Sequence, residues 1–153
     1  MSTPSLERDE VQRAVAQALD LAASLGASQA EAGASTERGL SVTVRLGEVE
    51  TLEYQQDRGL GITVYVGKRK GSASTADLSE RTVKETVEKA CSIARFTAED
   101  DCAGLADAEM MATDIQDLDL CHPWDIDAEG AIELARACES AGRGVDKRIN
   151  NSE

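Results

Sequence analysis

The chain has 153 residues and a formal charge of −13, from 29 acids against 16 bases. That length gives one domain of ordinary size, and an apolar content of 41% is too high for a disordered acidic tail. A pI near 4.5 argues against a protein that binds nucleic acid by neutralising phosphates, and no apolar run approaches the length of a membrane span.

Aromatics are sparse, so the core is expected to be aliphatic. The first ten residues have neither a basic region nor an apolar run of the secretory kind, and a cytoplasmic location is expected. Across residues 96–135 there is no Lys or Arg but twelve Asp or Glu; the rest of the chain holds seventeen acids and all sixteen bases. The plain reading of that acidic stretch is a solvated loop. The cysteines at 91, 102, 121 and 138 show no C-x-x-C spacing, so neither a zinc knuckle nor a redox pair is supported. Cys91 and Cys138 lie on apolar helical patterns and are expected to be buried.

In chain order, residues 6–25 read as an amphipathic helix. Leu6, Val11, Val15, Ala18, Leu19, Ala22 and Leu25 form its stripe, Thr3 and Pro4 start it, and Gly26 stops it. The period then changes from 3.6 to 2. Strands are expected over residues 30–36, 40–46, 48–55, 62–66 and 70–75. Turns are expected at Arg38-Gly39, Gly47, Asp57-Arg58-Gly59 and Gly67-Lys68-Arg69. Such short connections require antiparallel pairing, which predicts a meander of about five strands with one face to cover. A helix over residues 80–96 supplies the cover, with Val83, Val87, Ala90, Cys91 and Ala94 on one side. Ser79 is its expected N-cap, and Leu78 with Val83 its hydrophobic staple. Residues 97–123 show no period. Either they wrap the surface, or they pack on something outside this chain. A last helix over residues 128–141 follows, with Asp125 and Asp127 as candidate caps. The fold class is α+β. The ending at Asn150-Asn151-Ser152-Glu153 reads as a cut chain.

No motif carries chemistry by itself. His122 is the sole histidine, so an H-E-x-x-H zinc site is impossible here, and adjacency does not make Cys121 and His122 a catalytic pair. The run from Asp125 to Gly130 resembles the start of a calcium loop, but Arg136 stands where the closing Glu belongs. Gly59 and Gly61 open a strand and fail the dinucleotide fingerprint. The basic run at residues 68–70 reads as a charged turn that discourages edge pairing. Asn150-Asn151-Ser152 fits the glycosylation pattern, which a cytoplasmic chain never uses.

Residues 38–53 (RGLSVTVRLGEVETLE) and 59–75 (GLGITVYVGKRKGSAST) resemble the TldD/PmbA family, specifically its PmbA (TldE) branch. Residues 93–107 (IARFTAEDDCAGLAD) and 119–123 (DLCHP) continue the likeness. The resemblance implies a protein about three times this length within a cytoplasmic metallopeptidase system that matures modified peptides and degrades small unfolded proteins. An older label is modulator of DNA gyrase. It implies that residues 1–122 are the N-terminal α+β domain and residues 123–153 the start of a connection toward a C-terminal domain absent from this chain. The zinc is implied to sit in a TldD-like partner subunit, with no cofactor, metal ligand or catalytic residue on this chain. Expected partners are that subunit or a second copy, and a peptide substrate, with no membrane and no nucleic acid. The alternative is a non-enzymatic interaction module linked to gyrase or to an antitoxin.

Overall fold

The computed structural model describes residues 4–120 and 122–152. The order is helix α1 (Pro4–Ser24), strands β1 (Gln29–Arg45), β2 (Glu48–Val66) and β3 (Arg69–Thr75), helix α2 (Glu80–Phe96) and helix α3 (Ala128–Gly144). A single 3-10 turn, Ala108–Met110, lies between α2 and α3. The strands form one sheet in the order β1-β2-β3. The class is α+β, as expected from the change of period.

The meander has three strands instead of five. Residues 30–36 and 40–46 are one strand, and residues 48–55 and 62–66 are another. Gly39 and Gly59 do not enter the positive-φ region that a turn at these sites would use. A turn signal reverses the chain only where the backbone leaves the ladder; here the neighbouring strand supplies hydrogen-bond partners and the extended form persists. The real reversals are two-residue turns. Leu46 (φ 53) and Gly47 (φ 85) both take the positive φ of a type I′ turn, and Gly67 (φ 60) precedes Lys68 at the second hairpin.

Contacts divide the chain into two compact units. The first holds the chain up to Glu37 together with Asp57–Thr113; the second holds Arg38–Gln56 and the chain from Asp114 onward. The two misleading turn signals thus fall where β1 and β2 pass from one unit to the other.

In the first unit, alternation along β2 buries Leu60, Ile62 and Val64. They meet Ala14, Ala18 and Ala22 of α1 and Val83, Val87, Ala90, Cys91 and Ala94 of α2. The α1 stripe differs from expectation. Its centre is Ala14, Ala18 and Ala22, whereas Val15 and Leu19 are only half-buried. Small side chains let helix backbones approach closely, and a reading that favours large apolar residues passes over Ala14. Helix α1 ends in a Schellman motif: the Gly26 N–H donates to the Ala23 carbonyl and the Ala27 N–H to the Ala22 carbonyl. Thr3 lies outside the described residues.

The β3 register pairs Leu60 with Thr75, Ile62 with Ala73 and Val64 with Gly71. Gly71 therefore faces the helices. A Cβ there would lie 2.2 Å from the Ala90 carbonyl oxygen and 2.4 Å from the Ala94 nitrogen. Leu78 and Val83 are both buried, as a staple requires. Ser79 occupies the N-cap position of α2, but its side chain makes no cap bond. Asp77 organises the entry instead. Its carboxylate accepts from the Ser79 N–H (2.9 Å), the Ser79 hydroxyl (2.9 Å) and the Thr82 hydroxyl (2.8 Å).

In the second unit, α3 is capped by Asp127, whose Oδ1 accepts from the Gly130 N–H at 2.8 Å. No residue of α3 is fully buried, and Cys138 is exposed, contrary to its expected burial. An apolar stripe marks a helix face but cannot supply the layer that covers it.

Candidate functional site

The outer face of the sheet in the first unit is the candidate site. Alternation that turns Ala30, Ala32 and Ala34 toward the core puts Glu31, Gly33 and Ser35 on the other face of β1. The same rule puts Gly59, Gly61 and Thr63 of β2 there, and register places Ser74 beside Gly61 and Ser72 beside Thr63. The Thr63 and Ser72 hydroxyls are 3.0 Å apart. A Cβ built on Gly33, Gly59 or Gly61 would meet nothing within 4 Å. The floor is bare backbone edged by hydroxyls.

A cavity of about 660 Å³ opens at this place, lined by residues 33–35 of β1, 58–61 of β2 and 74–76 around the end of β3. A smaller hollow of about 370 Å³ lies over Glu31, Gly33, Gly61 and Thr63. Arg58 is the cation in the lining of the larger cavity. Its Nη1 stands 3.4 Å from each carboxylate oxygen of Glu10, which ties β2 to α1. Within the sheet β1 has one neighbour, so its outer backbone edge is not paired with another strand of the described chain.

This arrangement can hydrogen-bond an extended main chain, through strand edge, hydroxyls and glycine backbone. Among the described residues no three His, Cys, Asp or Glu side chains converge on a point where a metal ion would fit. Cys91 is buried in the core, and burial pushes its thiol above the usual range, with Arg95 opposing. His122 is exposed, and Cys121 lies outside the described residues. The basic run does other work than expected of a free turn. The Lys68 ammonium donates to the Ala103 carbonyl (3.2 Å), and Arg69 pairs with Glu99 at 3.2 Å. With the Leu105 N–H on the Gln29 side-chain oxygen (3.0 Å), these bonds pin residues 99–105 to one end of the sheet. The described residues from 106 to 125 are all exposed, Trp124 at 72%.

In the second unit, the carboxylate of Glu139 reaches the β1–β2 turn. The Leu46 and Gly47 N–H groups donate to its two oxygens, Gly47 at 2.7 Å, and the Ser152 hydroxyl donates at 2.7 Å. These bonds, the Ser152 hydroxyl foremost, hold the Glu139 carboxyl below the usual range. Arg136 donates from Nε to the Gly47 carbonyl at 3.1 Å. Sequence reasoning singled out Arg136 only as an obstacle to calcium and missed Glu139 altogether, because their partner is a turn ninety residues away.

Residues 30–94 match the family model described as PmbA/TldA metallopeptidase domain 1. The chain is 49% identical over 146 residues to the metalloprotease PmbA homolog of Haemophilus influenzae, covering 95% of this chain and 32% of that protein. It is 47% identical to metalloprotease PmbA of Escherichia coli O157:H7, covering 100% of this chain and 34% of that protein. The chain thus spans about a third of the length of the curated relatives it matches. The fold is shared with a Bacteroides thetaiotaomicron protein described as a modulator of DNA gyrase, with TM-score 0.78 and 23% identity over 94% of this chain and 33% of that one. It is shared also with TldE from Thermococcus kodakarensis, with TM-score 0.54 and 20% identity over 57% of this chain and 20% of that one. No helix among the described residues is long and apolar enough to cross a membrane.

Proposed function

The chain belongs to the PmbA/TldD family, and from that premise we propose that it is the N-terminal, non-metal-binding module of a PmbA-like subunit in a cytoplasmic metallopeptidase complex. The complex cleaves peptides or small unfolded proteins, and its zinc sits in a TldD-like subunit. The module's part is to line the peptide path. One observation carries this reading: a sheet whose outer strand β1 has, among the described residues, no strand paired on its second edge, beside a glycine floor where an added Cβ would meet nothing within 4 Å. An added strand takes its affinity from main-chain hydrogen bonds, so it accepts varied sequences, as a degrader of unfolded chains requires.

The test is a photoreactive peptide substrate added to the assembled pair of subunits. Cross-links to residues 29–37 and zinc-dependent cleavage by the pair are expected. Labels confined to the rest of the complex would refute the peptide path. Binding without cleavage would favour the second reading, a regulatory interaction module, which the exposed acidic and apolar described residues between 106 and 125 also support.

A further inference from the structure

The cavity between α3 and the β1–β2 turn has a chemistry that the fold does not need. It measures about 440 Å³ and is lined by Gly47, Arg136, Glu139, Ser140, Arg143, Gly144 and Ile149. Two guanidinium groups border it, seven residues apart and so on the same side of the helix. The one carboxylate in the lining is already occupied by the turn N–H groups and the Ser152 hydroxyl, and its side chain is only 6% exposed. The Arg143 Nη1 stands 3.9 Å from Glu139 Oε1, too far for a hydrogen bond. The Arg143 Nε is buried and has no partner among the described residues.

A cation in the last turn of α3 suits the helix dipole, which accounts for a basic residue there. It does not account for a second guanidinium side chain at the same cavity, where the one carboxylate is already hydrogen-bonded by the turn and by Ser152. The buried Nε lies out of a ligand's reach, so a ligand would meet the outer nitrogens of the Arg143 fork. The planar fork of an arginine matches a carboxylate in a two-bond geometry. Ile149 offers an apolar wall beside the cations, and the volume suits a ligand the size of a dipeptide.

We propose that this cavity is a carboxylate-binding site, with Arg143 as its principal donor and Arg136 as the second charge, and that its ligand is the free C-terminal carboxylate of a peptide. The choice of a peptide, though not of a carboxylate, rests on the function proposed above. The second unit would then hold the end of a peptide chain by charge and shape.

The test titrates N-acetyl-dialanine, its C-terminal amide and inorganic phosphate separately into the isotope-labelled 153-residue chain. The Arg143 Nε–H and Gly47 N–H signals are followed by NMR. The acid is expected to shift both signals, and the amide to bind about tenfold more weakly or worse. Arg143→Gln is expected to weaken the acid by about tenfold or more while the circular dichroism spectrum stays that of the parent chain, since the turn keeps its hydrogen bonds to Glu139. Arg136→Gln, which also loses the Gly47 carbonyl contact, serves as the second variant and is expected to weaken the acid less. Equal binding of acid and amide, binding of phosphate alone, or Arg143 signals that no ligand moves would each overturn the proposal. Cleavage by the assembled pair is measured independently, so a failure there and a failure here remain distinguishable.

Discussion

Replacing Gly71 with alanine sets one methyl group against the backbone of α2. The new Cβ would lie 2.2 Å from the Ala90 carbonyl oxygen, 2.4 Å from the Ala94 nitrogen and 3.0 Å from the Ala94 Cα. Ordinary carbon–oxygen contacts begin near about 3.3 Å, so strand and helix must separate by roughly 1 Å. The atoms struck are main chain, and no rotamer change relieves them. Helix α2 cannot retreat alone, since Val83, Val87, Cys91 and Ala94 are anchored in the core. A radial gap of that size forfeits about a quarter to a half of the dispersion energy of each contact it opens. Overpacking costs about 1–3 kcal/mol, and a clash with rigid backbone belongs at the upper end, about 3 kcal/mol. For a chain of this length that is about 10 °C in thermal midpoint. Urea titration followed by circular dichroism measures it, with Gly61→Ala as the control. Gly61 lies on the adjacent strand and has nothing within 4 Å of its missing Cβ. There the same methyl group is expected to be neutral or to stabilise by about 0.5 kcal/mol through the unfolded chain. Equal midpoints for the two variants would refute the close approach of α2 to β3.

The Asp77 carboxyl is held below its usual range, first by the Ser79 N–H and then by the Thr82 and Ser79 hydroxyls. A lowered folded pKa contributes stability that is present above the ordinary carboxylate value and lost as pH falls through the lowered one. Asp77→Asn is therefore expected to flatten the acid limb of a thermal-midpoint-against-pH curve below roughly pH 4; an unchanged slope would sink the assignment. Glu139→Gln replaces one acceptor oxygen with an amide that faces an N–H donor, so the Leu46 and Gly47 amides are expected to exchange with deuterium faster than in the parent chain. Exchange no faster than before would show that the turn holds without α3. Gly61→Leu puts a side chain on the glycine floor, at a position where the Cβ meets nothing within 4 Å. It is expected to cut cross-linking of the photoreactive peptide to residues 29–37 by about tenfold, if each blocked main-chain bond contributes about 1 kcal/mol, while secondary structure by circular dichroism stays intact. Undiminished cross-linking would place the peptide elsewhere.

The helices and the strand character of residues 30–75 were legible in local pattern, whereas the 3-10 turn at Ala108–Met110 and the joining of five expected strands into three were not. Helices over residues 6–25, 80–96 and 128–141 follow from 3.6-residue periodicity, and the strands from alternation. The turns at Gly47 and Gly67 and the stop at Gly26 follow from residues that tolerate positive φ. These features depend on a few neighbouring residues, and so do the family motifs in residues 38–75, which is why one chain sufficed. Tertiary structure decided what depends on distant partners. Arg38-Gly39 and Asp57-Arg58-Gly59 have the composition of turns, yet the ladder keeps them extended. Asp77 took over the polar work expected of Ser79 because the Thr82 hydroxyl also faces it. Cys138 carries a helix pattern like that of Cys91, but Cys91 is packed in the core, whereas Cys138 borders an open hollow beside residues 42–44 of β1 and stays exposed. The candidate site was half visible, since Gly59 and Gly61 stood out in the sequence. Their union with Gly33 required strand pairing, and Glu139 and Arg143 gained meaning only when α3 met a turn far away in the chain. Local preference selects an element's conformation; burial and hydrogen-bond partners are properties of the space around it, which sequence neighbours do not define.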